Sequence, residues 1–111
     1  KYKNDNLTYK KNHSPLNFED PIFSFIPSIG ISEIIKLPSD FSIYYENHYL
    51  LSSLNGRSLY FIRFDQNFSK VITIEKVFIN KRIRDIKYFE DNNNIILALE
   101  ENGEIGIISN N

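Results

Sequence analysis

The sequence predicts an all-β protein built from antiparallel sheets, and three observations support that class. Ile, Phe and Tyr are frequent whereas Ala occurs only once, at Ala98, and branched or aromatic side chains suit a pleated sheet. Four prolines, from Pro15 to Pro38, exclude a long helix there, because each removes a backbone donor. After that region, short apolar runs alternate with turn signals, which is the pattern of strands joined by hairpins.

The N-terminal part of the chain carries no predicted strand. Residues 1–13 are polar and indicate a loop, and residues 14–32 are predicted to form an extended, ordered loop because of their prolines and aromatic residues. Seven strands follow. Their predicted bounds are 33–37, 48–54, 58–65, 70–78, 83–89, 94–99 and 104–109.

Turn-forming residues separate several of these strands. The run Leu54-Asn55-Gly56-Arg57 contains Asn-Gly, which best tolerates the two positive φ angles of a type I′ hairpin turn. Two further hairpin turns are predicted at residues 91–94, which are Asp-Asn-Asn-Asn, and at residues 101–104, which are Glu-Asn-Gly-Glu. The chain should therefore meander between neighbouring antiparallel strands.

The strand at 58–65 is apolar on both of its faces. Leu59 and Phe61 lie on one face, while Tyr60, Ile62 and Phe64 lie on the other. A strand of this kind belongs in a sheet that is covered on both sides.

The order and spacing of the predicted strands divide the chain into three regions. These are the N-terminal polar segment and loop at 1–32, one complete four-stranded unit at 33–78, and most of a second unit at 79–111. Four-stranded sheets repeated side by side are the blades of a β-propeller, so about two blades are predicted. A small β-sandwich or barrel has the same number and spacing of strands.

Composition narrows the classes of function. The 13 basic and 14 acidic residues give a net charge of −1, so no nucleic-acid partner is expected. No apolar run approaches the roughly 18 residues of a membrane span. The absence of Cys excludes disulfides and thiolate metal sites. Because the chain starts at Lys1 and contains no Met, we expect a processed chain or a fragment, with any signal peptide invisible.

Several short motifs occur in order along the chain: residues 9–13 (YKKNH), 18–21 (FEDP) and 27–32 (PSIGIS), then residues 48–59 (HYLLSSLNGRSL) and 82–86 (RIRDI). Together they resemble the glucose/sorbosone dehydrogenase family, soluble six-bladed propellers that use pyrroloquinoline quinone (PQQ). The first three resemble the stretch before the last full blade, the fourth is similar to a family hairpin, and the fifth matches its Arg-x-Arg-Asp motif. Residues 94–109 fall where the family has its next hairpin, so the resemblance covers nearly the whole chain.

The resemblance implies the C-terminal part of an oxidoreductase that moves a hydride from the anomeric carbon of an aldose to PQQ. It also implies a small sugar substrate, an unidentified electron acceptor, and a periplasmic or secreted location. The fragment alone is expected to be inactive, because the family's catalytic His and calcium-ligating backbone belong to upstream sequence. No catalytic residue and no metal ligand are therefore assigned here.

Arg82 and Arg84 are the first predicted cofactor-binding residues. Residues i and i+2 of a strand share a face, so two guanidinium groups would lie side by side and bind carboxylate or quinone oxygens of PQQ. Asp85 would point to the opposite face and brace a neighbouring strand or turn. The alternative is a solvated face or a surface salt-bridge cluster.

The hairpin motif implies three more cofactor-binding residues: Leu54, Asn55 and Arg57. The family usually has a Lys or Arg where this chain has Asn55, which supplies no positive charge. We hypothesise that Arg57 compensates if the hairpin tip bends inward. In the alternative interpretation, Asn55-Gly56 is only a turn.

The two histidines are not predicted to be catalytic. His13 is expected to hold a loop or line the rim of the substrate cleft, and His48 to be a packed or edge residue. Two other interpretations remain open for the protein as a whole. Besides the dehydrogenase, the protein could be a non-catalytic propeller that serves as a binding or scaffold protein, or an unrelated small β-domain that acts as an interaction module.

Overall fold

A computed structural model describes residues 21, 23 and 29–109 of the chain, and this part is all-β. Its strands form a four-stranded sheet in the order β1-β2-β3-β4 and a three-stranded sheet in the order β5-β6-β7, and every pairing is antiparallel. The strands are β1 Ile31–Lys36, β2 Tyr49–Ser53, β3 Ser58–Phe64, β4 Val71–Phe78, β5 Ile83–Phe89, β6 Asn94–Leu99 and β7 Ile105–Ile108.

The seven predicted strands are confirmed, with bounds that shift by one or two residues. Two short 3-10 helices complete the described part, at Ile43–Tyr45 and Glu101–Gly103. The second helix forms the predicted turn at residues 101–104, where Asn102 and Gly103 adopt positive φ. The first was not predicted. The expectations for residues 1–20 and for His13 lie outside the described residues, as do those for most of the loop at 14–32.

One apolar core joins the two sheets. Its members are almost completely buried and come from both sheets and from the loop after β1, so each sheet covers a face of the other. Burying each Leu or Ile contributes roughly 1.5–3 kcal/mol. The buried members are Leu37, Phe41, Leu50, Leu59, Phe61, Ile83, Ile86, Ile95 and Leu97.

Strand β3 is buried on both faces, as its sequence predicts. Leu59 and Phe61 belong to the core between the sheets, while Tyr60 and Ile62 pack with Ile29 and Leu51 in a second cluster on the other face. The outer strands are less covered. Ile74 of β4 and Ile105 and Ile107 of β7 are exposed. Two sheets are too few to close a propeller, so the six-bladed ring stays a prediction.

The predicted type I′ turn at Asn55-Gly56 is wrong. Neither residue has a positive φ, and the left-handed residue of this loop is Arg57, with φ 52°. The reason is tertiary, because the backbone N–H groups of Asn55 and Gly56 donate to the carbonyl of Ile29. Gly56 is required for space, since a Cβ there would lie 2.6 Å from Ser53 Oγ and 3.2 Å from Ile29.

Candidate anion-binding site

The predicted site residues come together at one end of the two sheets, which we call the site end. Leu54, Asn55 and Arg57 lie in the β2–β3 loop of the first sheet, and Arg84 lies in β5 of the second. Arg82 directly precedes β5, which packs beside β1 and β2. The chain therefore places residues separated by nearly thirty positions, such as Asn55 and Arg82, in contact.

Arg82 and Arg84 meet at a single carboxylate. Arg82 Nε donates to Glu100 Oε1 at 2.5 Å, and Arg84 Nη1 donates to Glu100 Oε2 at 3.3 Å. The two side chains therefore reach the same carboxylate, although Arg82 precedes β5 and was predicted to lie within the same strand as Arg84. We call these three residues the Arg–Glu cluster. The side chains of Arg82 and Glu100 are each 35% exposed to solvent, whereas the side chain of Arg84 is 63% exposed.

Glu100 was missed by the sequence reasoning, although a signal for it existed. The antiparallel register pairs Ile83 with Leu99, so the next residue along the chain falls beside Arg82. The backbone N–H of Glu100 donates to the carbonyl of Arg82 at 2.8 Å, which fixes this placement. Pairing the predicted strands 83–89 and 94–99 in this register places residue 100 beside Arg82, but the register itself comes from the structure.

A β-bulge lies within the arginine motif. The register shifts between Ile83 and Asp85, so Arg84 has no direct partner on β6. Bulges re-aim side chains and occur often beside functional sites. Asp85 is half-buried, and its Oδ1 accepts from the N–H of Ile86 at 2.9 Å. This described contact is local, and the predicted bracing of a neighbouring strand or turn by Asp85 is not seen among the described contacts.

Asn55 connects the first sheet to the Arg–Glu cluster. Its Oδ1 accepts from Arg82 Nη1 at 3.2 Å. The predicted cofactor contact of Asn55 is untested, but its amide oxygen already has a partner within the protein. Asn55 is therefore more than a turn residue, since it orients a guanidinium that comes from the other sheet.

Backbone hydrogen bonds hold the tip of the β2–β3 loop. The N–H of Leu54 donates to the carbonyl of Gly30 at 2.9 Å. The carbonyl of Arg57 accepts from the N–H groups of Ile79 and Asn80, at 2.9 and 3.0 Å. Arg57 thus helps to position the segment that leads into Arg82. Whether its side chain compensates for Asn55 stays a hypothesis.

The electrostatics of the cluster favour a bound anion. A hydrogen bond from Arg82 holds the pKa of the Glu100 carboxyl below its usual value, so Glu100 is ionised at neutral pH. Two guanidinium groups against one carboxylate leave one net positive charge. Among the described contacts, none engages Nη2 of either arginine. Those donors remain available to carboxylate or quinone oxygens.

A simple ion pair next to the cluster provides a comparison. Lys81 Nζ lies 2.8 Å from Glu104 Oε1, and this hydrogen bond raises the pKa of Lys81. Both side chains are exposed, and no described contact links the pair to the first sheet. Lys81 carries a positive charge that could bind an anion, but among the described contacts no second cation joins it at Glu104.

The remaining candidates do not form a site of their own. His48 Nδ1 lies 3.0 Å from the carbonyl of Glu46, and its ring packs edge-on against Tyr45, which confirms the expected packing role. Over residues 29–109, no group of His, Cys, Asp or Glu is arranged to hold a metal ion. None of the helices in the part of the chain that the structure describes is long and apolar enough to cross a membrane.

Comparison with known proteins agrees with the motifs. The model of the glucose/sorbosone dehydrogenase family matches residues 1–107, which is almost the entire chain. No curated protein matches the chain.

Proposed function

The chain belongs to the glucose/sorbosone dehydrogenase family, and we propose from this premise that it contributes the PQQ-binding end of two propeller blades. In this proposal the complete protein oxidises the anomeric carbon of an aldose and passes the hydride to PQQ. The family match supports a dehydrogenase, and the two antiparallel sheets support blades. The particular sugar and the electron acceptor are left open.

The observation that carries the proposal is the convergence of Arg82 and Arg84 on the Glu100 carboxylate. PQQ carries three carboxylates and a quinone, so its recognition requires several fixed N–H donors close together. Guanidinium groups supply such donors in a planar fork that matches a carboxylate. The ion pairs are partly exposed, as the alternative of a surface salt-bridge cluster also predicts, and PQQ titration distinguishes the two interpretations.

The donor set of the cluster fits an anionic cofactor. PQQ, when bound, supplies the quinone that accepts the hydride. Arg82 and Arg84 would bind its oxygens through the Nη2 donors, and Asn55 would keep Arg82 oriented through its amide oxygen. The proton-abstracting His and the Ca²⁺ ligands implied by the family are assigned to no residue of this chain. A periplasmic or secreted location is also proposed, on the family resemblance alone.

Titration of the full-length protein with PQQ tests this function. Replacing Arg82 by Ala should weaken PQQ binding by about 2 kcal/mol, the scale of a hydrogen bond to a charged group. Arg84→Ala should weaken it less, because the Arg84 side chain is more exposed and better solvated.

Lys81→Ala is the matched control, since it removes a neighbouring cation whose described partner is Glu104 alone. Its PQQ affinity should equal that of the unmodified protein. Equal affinities for all three variants and the unmodified protein would refute the assignment of PQQ binding to the Arg–Glu cluster.

One observation favours a second candidate, a non-catalytic propeller that serves as a binding or scaffold protein. Asn55 stands where the family usually has a cation, and its amide oxygen accepts from Arg82. The cofactor site of this chain therefore has one positive charge fewer than the family usually has. If the unmodified protein fails to bind PQQ whereas Asn55→Lys binds it, the protein has the propeller fold but not the PQQ-dependent activity. Binding by the unmodified protein favours the dehydrogenase.

A further inference from the structure

The Glu100 carboxylate uses both of its oxygens, and each oxygen accepts from a different arginine. Oε1 bonds Arg82 and Oε2 bonds Arg84, so the two guanidinium groups are held at a separation set by one carboxylate. Because each oxygen has its own guanidinium partner, the carboxylate spans the gap between the two arginines. The arrangement is therefore a bridge between two cations.

The bridge itself is anchored in the backbone. The N–H of Glu100 donates to the carbonyl of Arg82 at 2.8 Å, and the N–H of the preceding Leu99 donates to the carbonyl of Glu104 at 3.0 Å. These bonds close the β6–β7 connection around Glu100 and fix where its side chain begins. The fixed backbone limits the region that the Glu100 carboxylate can reach, so its two arginine partners are held within that region.

We propose that Glu100 is a positioning residue for the anion site, because it holds Arg82 and Arg84 in the arrangement that receives a ligand with more than one carboxylate. This inference rests on the proposed PQQ function and adds a residue to it. Glu100 acts through the two arginines and makes no contact with the ligand.

Two opposing effects decide the outcome of removing the Glu100 charge. The negative charge repels an anionic ligand, and because water reaches all three side chains, both this repulsion and the attraction within the Arg–Glu cluster are weakened. Without the bridge, both long arginine side chains would have to be immobilised when the ligand binds, which lowers affinity. For Glu100 to act as a positioning residue, this ordering effect must exceed the repulsion, and the PQQ affinity of Glu100→Gln measures which effect is larger.

PQQ titration of full-length Glu100→Gln tests the proposal. The dissociation constant should rise about tenfold, the scale of immobilising one or two flexible side chains. Glu100→Asp keeps the charge but is too short to bridge both arginines, so an intermediate rise is expected. Glu104→Gln is the matched control, since its carboxylate bonds Lys81 instead, and it should bind PQQ normally.

A double-variant cycle separates positioning from a general structural role. In an Arg84→Ala background the bridge has only one arginine left to hold, so Glu100→Gln should raise the dissociation constant by a smaller factor than in the unmodified protein. An equal factor in both backgrounds would overturn the proposal. Tighter binding by Glu100→Gln would also overturn it and would identify Glu100 as a competing counter-ion.

A measurement without PQQ keeps this inference separate from the proposed function. Nuclear relaxation of the Nε–Hε groups should show Arg82 and Arg84 as rigid in the unmodified protein and as mobile in Glu100→Gln. If PQQ does not bind but the arginines lose rigidity, the function fails and the positioning role stands. Equal rigidity in both proteins contradicts the positioning role, whatever PQQ does.

Discussion

The two ends of the first sheet are constructed in different ways. At the site end, Arg82 reaches Asn55 of the first sheet, and Ser32 Oγ donates to the carbonyl of Ile83 at 2.6 Å. At the opposite end, Asp65 binds the turn that follows it, through the N–H of Ser69 at 2.6 Å and its hydroxyl at 2.5 Å. Contacts between the two sheets hold the first end, whereas the second end is held by contacts within the first sheet and its β3–β4 turn.

The opposite end also contains a cluster of aromatic rings from one sheet. Tyr49, Phe64 and Phe68 have ring centroids 5.5 to 6.0 Å apart, and all three lie in or beside β2 and β3. This end keeps its shape through its own sheet. The site end depends on both sheets, so any change that alters how they meet should affect binding and stability together.

The largest effect is expected from the core beneath the arginine motif. Ile83 lies between Arg82 and Arg84 and is fully buried in the core shared by the two sheets. Ile83→Ala should lower the free energy of unfolding by about 3 kcal/mol, because it removes buried methyl groups and leaves a cavity. Denaturant unfolding measures this change.

Ile105→Ala is the control for Ile83, because it removes the same atoms from the same sheet at a position that is 71% exposed. Its effect should stay within about 0.5 kcal/mol. Similar losses for the two variants would show that the two sheets do not share a core.

A smaller effect is expected from the hydroxyl that links the sheets at the site end. Ser32 lies at a bulge in β1 and contacts the buried Ser52 Oγ at 2.8 Å as well as the Ile83 carbonyl. Ser32→Ala should lower the free energy of unfolding by about 1–2 kcal/mol, because two polar groups lose a partner. It should also weaken PQQ binding, since Ile83 lies between the two arginines.

Asp65→Ala provides the comparison at the opposite end. It removes the hydrogen bonds to Ser69 and Lys70, so some stability should be lost, but PQQ affinity should not change. If Asp65→Ala weakened PQQ binding as much as Ser32→Ala did, the distinction between the two ends would not hold.

The smallest effect concerns pH. The hydrogen bond from Arg82 lowers the pKa of Glu100 from its ordinary value of 4.5. The folded state therefore holds the ionised carboxylate more tightly than the unfolded state does. This stabilisation is fully present above pH 4.5 and is lost as the pH falls through the lower, folded-state pKa.

The measurement is the difference in unfolding midpoint between the unmodified protein and Glu100→Gln as a function of pH. The difference should be constant near neutral pH and should shrink in the acidic range below 4.5. A difference that does not change with pH would mean that the Glu100 charge contributes nothing to the fold.

Local signals in the sequence predicted most of the fold and part of the site. The strands and the buried faces of β3 follow from side-chain periodicity, which depends on a few neighbouring residues. Arg82 and Arg84 do reach the same carboxylate, but Arg82 precedes β5 and a bulge lies at Arg84, so strand alternation does not by itself explain their convergence. The Asn55-Gly56 turn was mispredicted because the carbonyl of Ile29, more than twenty residues earlier, determines its conformation. Residue pairing across chain segments was the missing information.

The partner of the two arginines illustrates the same limit. Glu100 is one acidic residue among 14, and nothing in its immediate sequence separates it from Glu101. Only the register of β5 with β6 brings it to Arg82. Charge type and spacing predicted that cations would converge, but not that a carboxylate would hold them.

A crystal structure of the full-length protein with PQQ bound tests the central claim most directly. The measured quantity is the distance from the PQQ carboxylate or quinone oxygens to the guanidinium nitrogens of Arg82 and Arg84. Hydrogen-bonding contact, within about 3.2 Å, is expected for both arginines. PQQ bound elsewhere, with both guanidinium groups still paired only to Glu100 and Asn55, would contradict it.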